Sequence, residues 1–408
     1  MSLIVQKFGG TSVGSVERIR EVSRRIARTR AAGHEVIAVV SAMSGETDRL
    51  LGLVRELAAT PKRSEADVVV ASGEQVTAAL LALTLENGGV PARSFLGHQV
   101  RIVTDSDHTR ARIRAIDGQR LLDTTRRGQV AVVAGFQGVD ENGSITTLGR
   151  GGSDTTAVAL AAATHADACE IYTDVAGVYT SDPRICPAAR KLDRISYDEM
   201  LELASLGAKV LQIRSVEFAK RYGVRVHVRT SFGDELGTWV VPEEASMEEV
   251  TVSGITLDRD QAKITLPQVP DRPGVAAGLF RPIAGAGIIV DMIIQNVGTD
   301  GNTELTFTVP RSELGAALEI ARSHCREIGA PEPLADGEIV KVSIVGLGMR
   351  SHAGVAARVF ETLAHEAINI QMISTSEIKI SVAIDARYAE LAVRALHHEL
   401  VEKGATAA

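Results

Sequence analysis

Cysteine is scarce in this chain: three residues in 408, at 169, 186 and 325, odd in number and far apart. That excludes a disulfide framework and fits reduced structural thiols in a cytoplasmic protein. The ten histidines and three cysteines form no ligand-spaced cluster, so no dedicated metal cage is expected. Long hydrophobic runs are also missing. No stretch of 18 or more apolar residues occurs, and no basic segment with an apolar core behind it opens the chain, which speaks against membrane insertion and secretion. Positive charge is not in excess. The formal charge is -7, and Arg24-Arg25 and Arg126-Arg127 read as solvated surface, so a nucleic-acid partner is not expected. What remains is ordinary globular material, 45% hydrophobic and 23% charged, long enough for two or three domains.

Glycine is placed tellingly. Lys7-Phe8-Gly9-Gly10-Thr11-Ser12 lies between the strand-like Leu3-Ile4-Val5 and a helix opened by Ser15 and Glu17, with Ile19, Val22 and Ile26 on its buried face. Such a turn aims backbone N–H groups at an anion. The lysine precedes the glycines, so neither a P-loop nor a GxGxxG dinucleotide fingerprint fits. Alone, the turn is equally a structural one with a solvated lysine.

A second turn, Leu148-Gly149-Arg150-Gly151-Gly152-Ser153-Asp154, follows the β-rich Val130–Ala134 and leads into an alanine-rich helical run. Ser153 and Asp154 are natural capping residues, and Arg150 offers a planar fork to a carboxylate. A carboxylate at Asp154 beside phosphates requires a metal or a lysine between them, the arrangement of phosphoryl transfer. A third piece, Tyr172 to Arg184, gathers aromatic, acidic and basic groups after a strand's carboxyl end, where open α/β sheets bind ligands. It also reads as a turn-rich loop, Asp182-Pro183 being typical of one.

Before a polar, unpatterned break at 242–249, strand runs at Glu35–Val40, Val130–Ala134, Ala168–Tyr172 and Val224–Arg229 alternate with helices, the signature of a parallel α/β sheet. After it the chain repeats itself. At an offset of 80, Gly274, Val275, Phe280, Ala284, Ile288 and Met292 align with Gly354, Val355, Phe360, Ala364, Ile368 and Met372. Dimerisation alone would explain such a repeat, and so would ligand sensing.

Taken together, QKFGGTS at 6–12, VSAMSGETD at 40–48, ASGEQ at 71–75, LGRGGSDTTA at 148–157, TDVAGVYTSDPR at 173–184, GAKVLQIRS at 207–215 and SEIKISVAID at 376–385 resemble the aspartate kinases of the amino-acid kinase superfamily, across essentially the whole chain. The resemblance implies an α/β fold: a three-layer parallel-sheet kinase domain at 1–245 followed by two ferredoxin-like βαββαβ ACT domains. The first ACT domain, 263–335, would be inserted into the second, formed by 250–262 and 336–408. It implies ATP with Mg2+ as counterion, and transfer to L-aspartate giving 4-phospho-L-aspartate, the first committed step toward lysine, threonine and methionine. Lys7 with the Gly9 and Gly10 amides would clamp phosphate, and Asp154 would organise the centre. Thr47, Glu74, Arg150, Gly151, Gly152 and Ser153 would hold aspartate, Arg150 taking the α-carboxylate and Glu74 the α-ammonium. Ser41 would border aspartate and ATP, while Thr173, Asp174, Tyr179, Arg184, Lys209 and Val210 would complete the ATP site.

The same resemblance makes the ACT pair a sensor of lysine, threonine or both. Asp271, Gly274, Ala276, Asp291 and Gln295 would contact effector in the first unit, and Asn369, Ile370, Thr375 and Ser376 in the second. Ile289 stands where the first unit often carries Asn, which leaves the first effector open. Met247 heads the regulatory half, so an ACT-only subunit made from it, giving α2β2, stands beside a homo-oligomer through the ACT domains. Rival readings are a superfamily kinase for glutamate, acetylglutamate, carbamate or UMP, and a non-catalytic amino-acid sensor. The intact Lys7, Glu74, Arg150 and Asp154 oppose the sensor.

Overall fold

The computed structural model describes residues 2–207, 210–243, 252–297, 301–346 and 354–403. They divide into two compact units, Met1–Tyr179 with Lys191–Ser205 and Lys209–Ala245, and Thr180–Arg190 with Leu206–Ala208 and Ser246–Ala408. The expectations at Lys209 and Met247 lie outside the described residues.

The first unit opens with β1 (Leu3–Phe8), α1 (Val16–Ala31), β2 (Glu35–Val40), α2 (Glu46–Leu57) and α3 (Arg63–Asn87). Next come β3 (Ala92–Phe95), β4 (Ile102–Thr104), β5 (Ile113–Ile116), α4 (Gln119–Arg126), β6 (Val130–Ala134), β7 (Gln137–Val139) and β8 (Ile145–Thr147). The unit ends with α5 (Gly152–Ala163), β9 (Ala168–Thr173), β10 (Arg194–Ser196), α6 (Tyr197–Ser205), α7 (Ile213–Tyr222), β11 (Val226–Thr230) and β12 (Thr238–Val241).

Eight strands form the main sheet in the order β10-β12-β11-β9-β1-β2-β6-β3, and β5-β4-β7-β8 form a smaller one. Main-sheet pairs are parallel except β11 with β12. The parallel α/β sheet is thus as expected, with one antiparallel pair: the seven residues 231–237 joining β11 and β12 are too short for a parallel crossover and close a hairpin instead. Side chains alternate across each strand. One face of β1, β2 and β6 meets α1 and α3 through Phe8, Val36, Val40, Ile19, Val22, Ile26, Leu81 and Leu85. The other face receives α5, whose small side chains are buried on nearly every side and so allow close approach to β1. Ser15 caps α1, its Oγ accepting from the Arg18 N–H at 3.3 Å. Among the described residues only α3 is long and apolar enough to cross a membrane. Val70, Ala71, Ala78, Leu81 and Leu85 on it are buried in the unit.

The second unit contains β13 (Val252–Pro270), α8 (Val275–Gly285), β14 (Ile293–Val297), β15 (Asn302–Val309), α9 (Leu314–Ile328), β16 (Leu334–Gly346), α10 (Gly354–His365), β17 (Ile370–Thr375), β18 (Lys379–Asp385) and α11 (Ala389–His397). Its antiparallel sheet runs β14-β15-β13-β16-β18-β17. The repeat explains this symmetry: α8, β14, β15 and α9 have α10, β17, β18 and α11 as counterparts. The early part of β13, Val252 to Asp258, pairs with the far end of β16, while Ala262 to Pro270 pairs with β15. One core gathers Ile264, Leu279, Ile283 and Phe307, another Ile255, Val342, Val359 and Val382. The repeat-related Met292 and Met372 meet in one cluster with Ile339 and Ala383.

Candidate active site

The chain leaving β1 turns through α1 to β2, whereas the chain leaving α5 reaches β9 on the other side of β1. Such a switch in winding opens a crevice at the carboxyl ends of the strands. The loops there are tied together by backbone: Gly9 N–H donates to Tyr172 O at 3.2 Å, Ser41 N–H to Phe8 O at 3.1 Å and Gly135 N–H to Val40 O at 3.0 Å. Gly9 precedes a four-residue 3-10 turn, Gly10–Val13. A Cβ at Gly10 would sit 3.1 Å from Ala42 O, so the absence of a side chain lets the two strand-end turns touch.

Lys7 is on the α5 face of β1. Its Nζ lies 2.5 Å from Asp154 Oδ1 in the first turn of α5, and both side chains are about nine-tenths buried. The expected capping role of Ser153 or Asp154 is corrected: the N-cap is Gly151, left-handed at φ 69°. A Cβ at Gly151 would fall 1.7 Å from Gln212 Cγ, so glycine alone fits between α5 and α7, and Ser153 and Asp154 shift into the helix. Gly135 serves the same approach, since a Cβ there would stand 2.9 Å from Ser153 Cβ.

Glu74 projects from α3 beneath the β2 loop and is only 3% exposed. Its Oε1 accepts the Ala42 N–H at 3.0 Å, while Oε2 has no partner among the described residues. Burial raises its pKa to about 7. Ser41 and Thr47 are half-buried near this loop's ends. Arg150 is exposed and makes no ion pair among the described residues, leaving its fork available.

The remaining sites spread further. Thr173 Oγ1 donates to Asp174 Oδ1 at 3.1 Å, Thr173 O accepts from Ser231 N–H at 2.8 Å, and Ser231 Oγ is 2.6 Å from Ser12 Oγ. Tyr179 forms an isolated bridge with Lys191, and Val210 is half-buried. Arg184 belongs to the second unit, forked onto Asp182 at 2.7 and 3.0 Å. Also in the second unit, Asp271, Gln295, Asn369 and Thr375 are exposed, Ala276 and Ile370 are half-buried, and Gly274 opens α8 at φ 97°. Asp291 is already paired with the buried Lys341 ammonium. Ser376 Oγ is buried with no partner among the described residues. Ile289 is 74% exposed.

Two supports escaped the sequence reading. Asp67, fully buried in α3, accepts from Thr109 N–H at 3.1 Å, Thr147 N–H at 3.1 Å and Thr147 Oγ1 at 2.6 Å, with His108 Nδ1 at 2.9 Å. It holds Thr109 at φ 72°, strained for a β-branched residue. Arg214 donates to Leu148 O at 2.5 Å and Ala111 O at 3.1 Å. Together they fix the backbone entering Gly149 and Arg150. A carboxylate set in the apolar run Ala66 to Ala71 was the available signal for Asp67.

Residues 2–230 match the amino acid kinase family, and residues 263–326 and 342–400 each match the ACT domain. The aspartokinase of Pseudomonas aeruginosa is 60% identical over 399 residues, 97% of each chain. Aspartokinase III of E. coli, solved with aspartate and ADP in an R-state, has a TM-score of 0.80 at 26% identity, over 98% of this chain and 99% of that one. Solved with lysine and aspartate in a T-state, it has a TM-score of 0.78 at 27% identity, over the same shares.

Proposed function

The chain belongs to the aspartokinases of the amino acid kinase family, and on that premise we propose that this aspartate kinase transfers the γ-phosphoryl group of ATP to the β-carboxylate of L-aspartate. The products are 4-phospho-L-aspartate and ADP. The observation that carries the reading is the buried Lys7–Asp154 pair between the two glycine turns, with the half-paired Glu74 carboxylate nearby.

The β-carboxylate is ionised at neutral pH, so the step needs no general base; placement and charge neutralisation supply the catalysis. Lys7 presents its ammonium to the transferring group and the Gly10 amide faces the phosphates, whereas the Gly9 N–H, expected to share that role, is taken by Tyr172 O at 3.2 Å. Asp154 keeps Lys7 in place. Glu74 Oε2 is suited to accept from the substrate α-ammonium, which would replace water at an otherwise unpaired oxygen. Arg150 receives the α-carboxylate as a fork, and Thr47 and Ser153 add hydroxyls. Thr173, Asp174, Tyr179, Lys209 and Val210 hold the nucleotide. Mg2+ fits as a nucleotide-borne ion, because the Asp154 carboxylate is already matched by Lys7; bound through the phosphates, it would supply charge neutralisation.

The reaction would open lysine, threonine and methionine synthesis, with lysine, threonine or both inhibiting through the ACT units. Such inhibition requires the effector to bind one state of the protein more tightly. E. coli aspartokinase III, solved with lysine and aspartate, supports lysine as a candidate. For the assembly we favour a homo-oligomer through the ACT units, or α2β2 with a subunit begun at Met247. Three free, buried cysteines agree with a cytoplasmic setting. Borohydride reduction of the product tests the acceptor: β-transfer yields homoserine, and 3-amino-4-hydroxybutanoate would show α-transfer.

A further inference from the structure

The fold joins three metal-binding side chains that are scattered along the sequence. Cys186, His397 and Glu402 bring Sγ, an imidazole nitrogen and a carboxylate oxygen within 4.8 Å of one another, all in the second unit. This corrects the expectation that no cysteine and histidine cluster at ligand spacing. Cys186 and His397 are 3% and 0% exposed. Glu402 reaches His397 because the helix loosens into a π-turn at His398–Glu402, which sets residues five apart side by side. Such turns recur at functional sites.

The geometry points to a divalent transition-metal site, best matched to Zn2+, bound by Cys186 Sγ, His397 Nδ1 and Glu402 Oε1. Thiolate, imidazole and carboxylate together are a zinc ligand set, and three protein ligands leave a fourth position for water. His397 Nδ1 and Glu402 Oε1 are 3.0 Å apart, close to the edge of about 3.3 Å that a tetrahedron with bonds near 2 Å requires. The other ring nitrogen already has its orienting partner, Thr180 Oγ1 at 2.8 Å. On binding, the imidazole hydrogen resides on Nε2 and donates to Thr180, and the Cys186 thiol releases its proton to solvent. The second carboxylate oxygen, Oε2, lies 3.2 Å from His398 Nδ1.

The ion would fasten the segment Thr180–Arg190 to the end of α11. That segment already leans there, with Arg190 Nη2 donating to Val401 O at 2.7 Å, and it carries Arg184. The site is independent of the kinase reading.

Co2+ titration of the reduced full-length chain tests it. One equivalent should produce a thiolate-to-cobalt charge-transfer band that Zn2+ displaces. Cys186→Ser should abolish the band, and Glu402→Gln, at a half-exposed position, should weaken binding on the order of a hundredfold. Basal turnover should persist in both. No band with Co2+ in excess, or one that survives Cys186→Ser, overturns the site.

Discussion

Lys7 Nζ and Asp154 Oδ1 lie 2.5 Å apart, joining the end of β1 to the first turn of α5 across the crevice floor. Each glycine turn contributes one partner. The pair fixes the position of a flexible ammonium at the strand end.

Lys7→Ala should reduce kcat about a hundredfold or more with little change in the KM for aspartate, because one transition-state charge contact typically supplies a few kcal/mol. Steady-state kinetics check it. A near-normal kcat would remove Lys7 from the reaction.

Asp154→Ala should destabilise the protein by up to about 3–5 kcal/mol, because it strands a buried ammonium. Combining Lys7→Met with Asp154→Leu should recover much of that loss. Denaturant unfolding of Lys7→Met, Asp154→Leu and their combination decides the matter, and simple additivity would show that the pair is uncoupled.

Glu74 should give aspartate use a pH signature. Its pKa is raised to about 7, and only the carboxylate can pair with an ammonium. Below pH 7, kcat/KM for aspartate should therefore fall about tenfold per unit, reporting this free-enzyme group. Glu74→Gln should flatten the profile and lower kcat/KM. Stability should move in the opposite sense. The protonated form is favoured in the fold, so that contribution is complete below the unfolded value near 4.5 and is lost as pH rises through about 7. At pH 8, Glu74→Gln should accordingly gain up to about 3 kcal/mol in unfolding measurements. Equal stability of the two proteins at pH 8 would contradict the buried charge.

Gly135→Ala would place a Cβ 2.9 Å from Ser153 Cβ and 3.0 Å from Val40 O. The backbone of β2 cannot yield easily, so α5 must. A cost of about 1–3 kcal/mol is expected from such overpacking, with an at least tenfold loss of kcat. Unaltered turnover would mean that the start of α5 need not be held so closely.

Much of this architecture is legible in local pattern. Ser15, Glu17, Ile19, Val22 and Ile26 announce α1, and β2 and β6 have the bounds that the apolar runs suggest. The 80-residue repeat is visible in sequence, and Met292 and Met372 meet in one cluster. What escapes is set by distance along the chain. Gly151 rather than Ser153 caps α5 because Gln212, the N-cap of α7, fills the space. Asp67 reads as an interruption in an apolar helix until Thr109 and Thr147 arrive around it. Cys186 and His397 carry no shared spacing, and only the second unit's packing joins them. The side chains of Lys7 and Asp154 were each legible as candidates, but their contact depends on the register between β1 and α5.

The most direct test of the account is acyl-phosphate formation from ATP and Mg2+, trapped with hydroxylamine, using aspartate, glutamate and acetylglutamate, each with and without lysine and threonine. The account predicts turnover on aspartate that falls when lysine, threonine or both are added. No acyl phosphate from aspartate would contradict it.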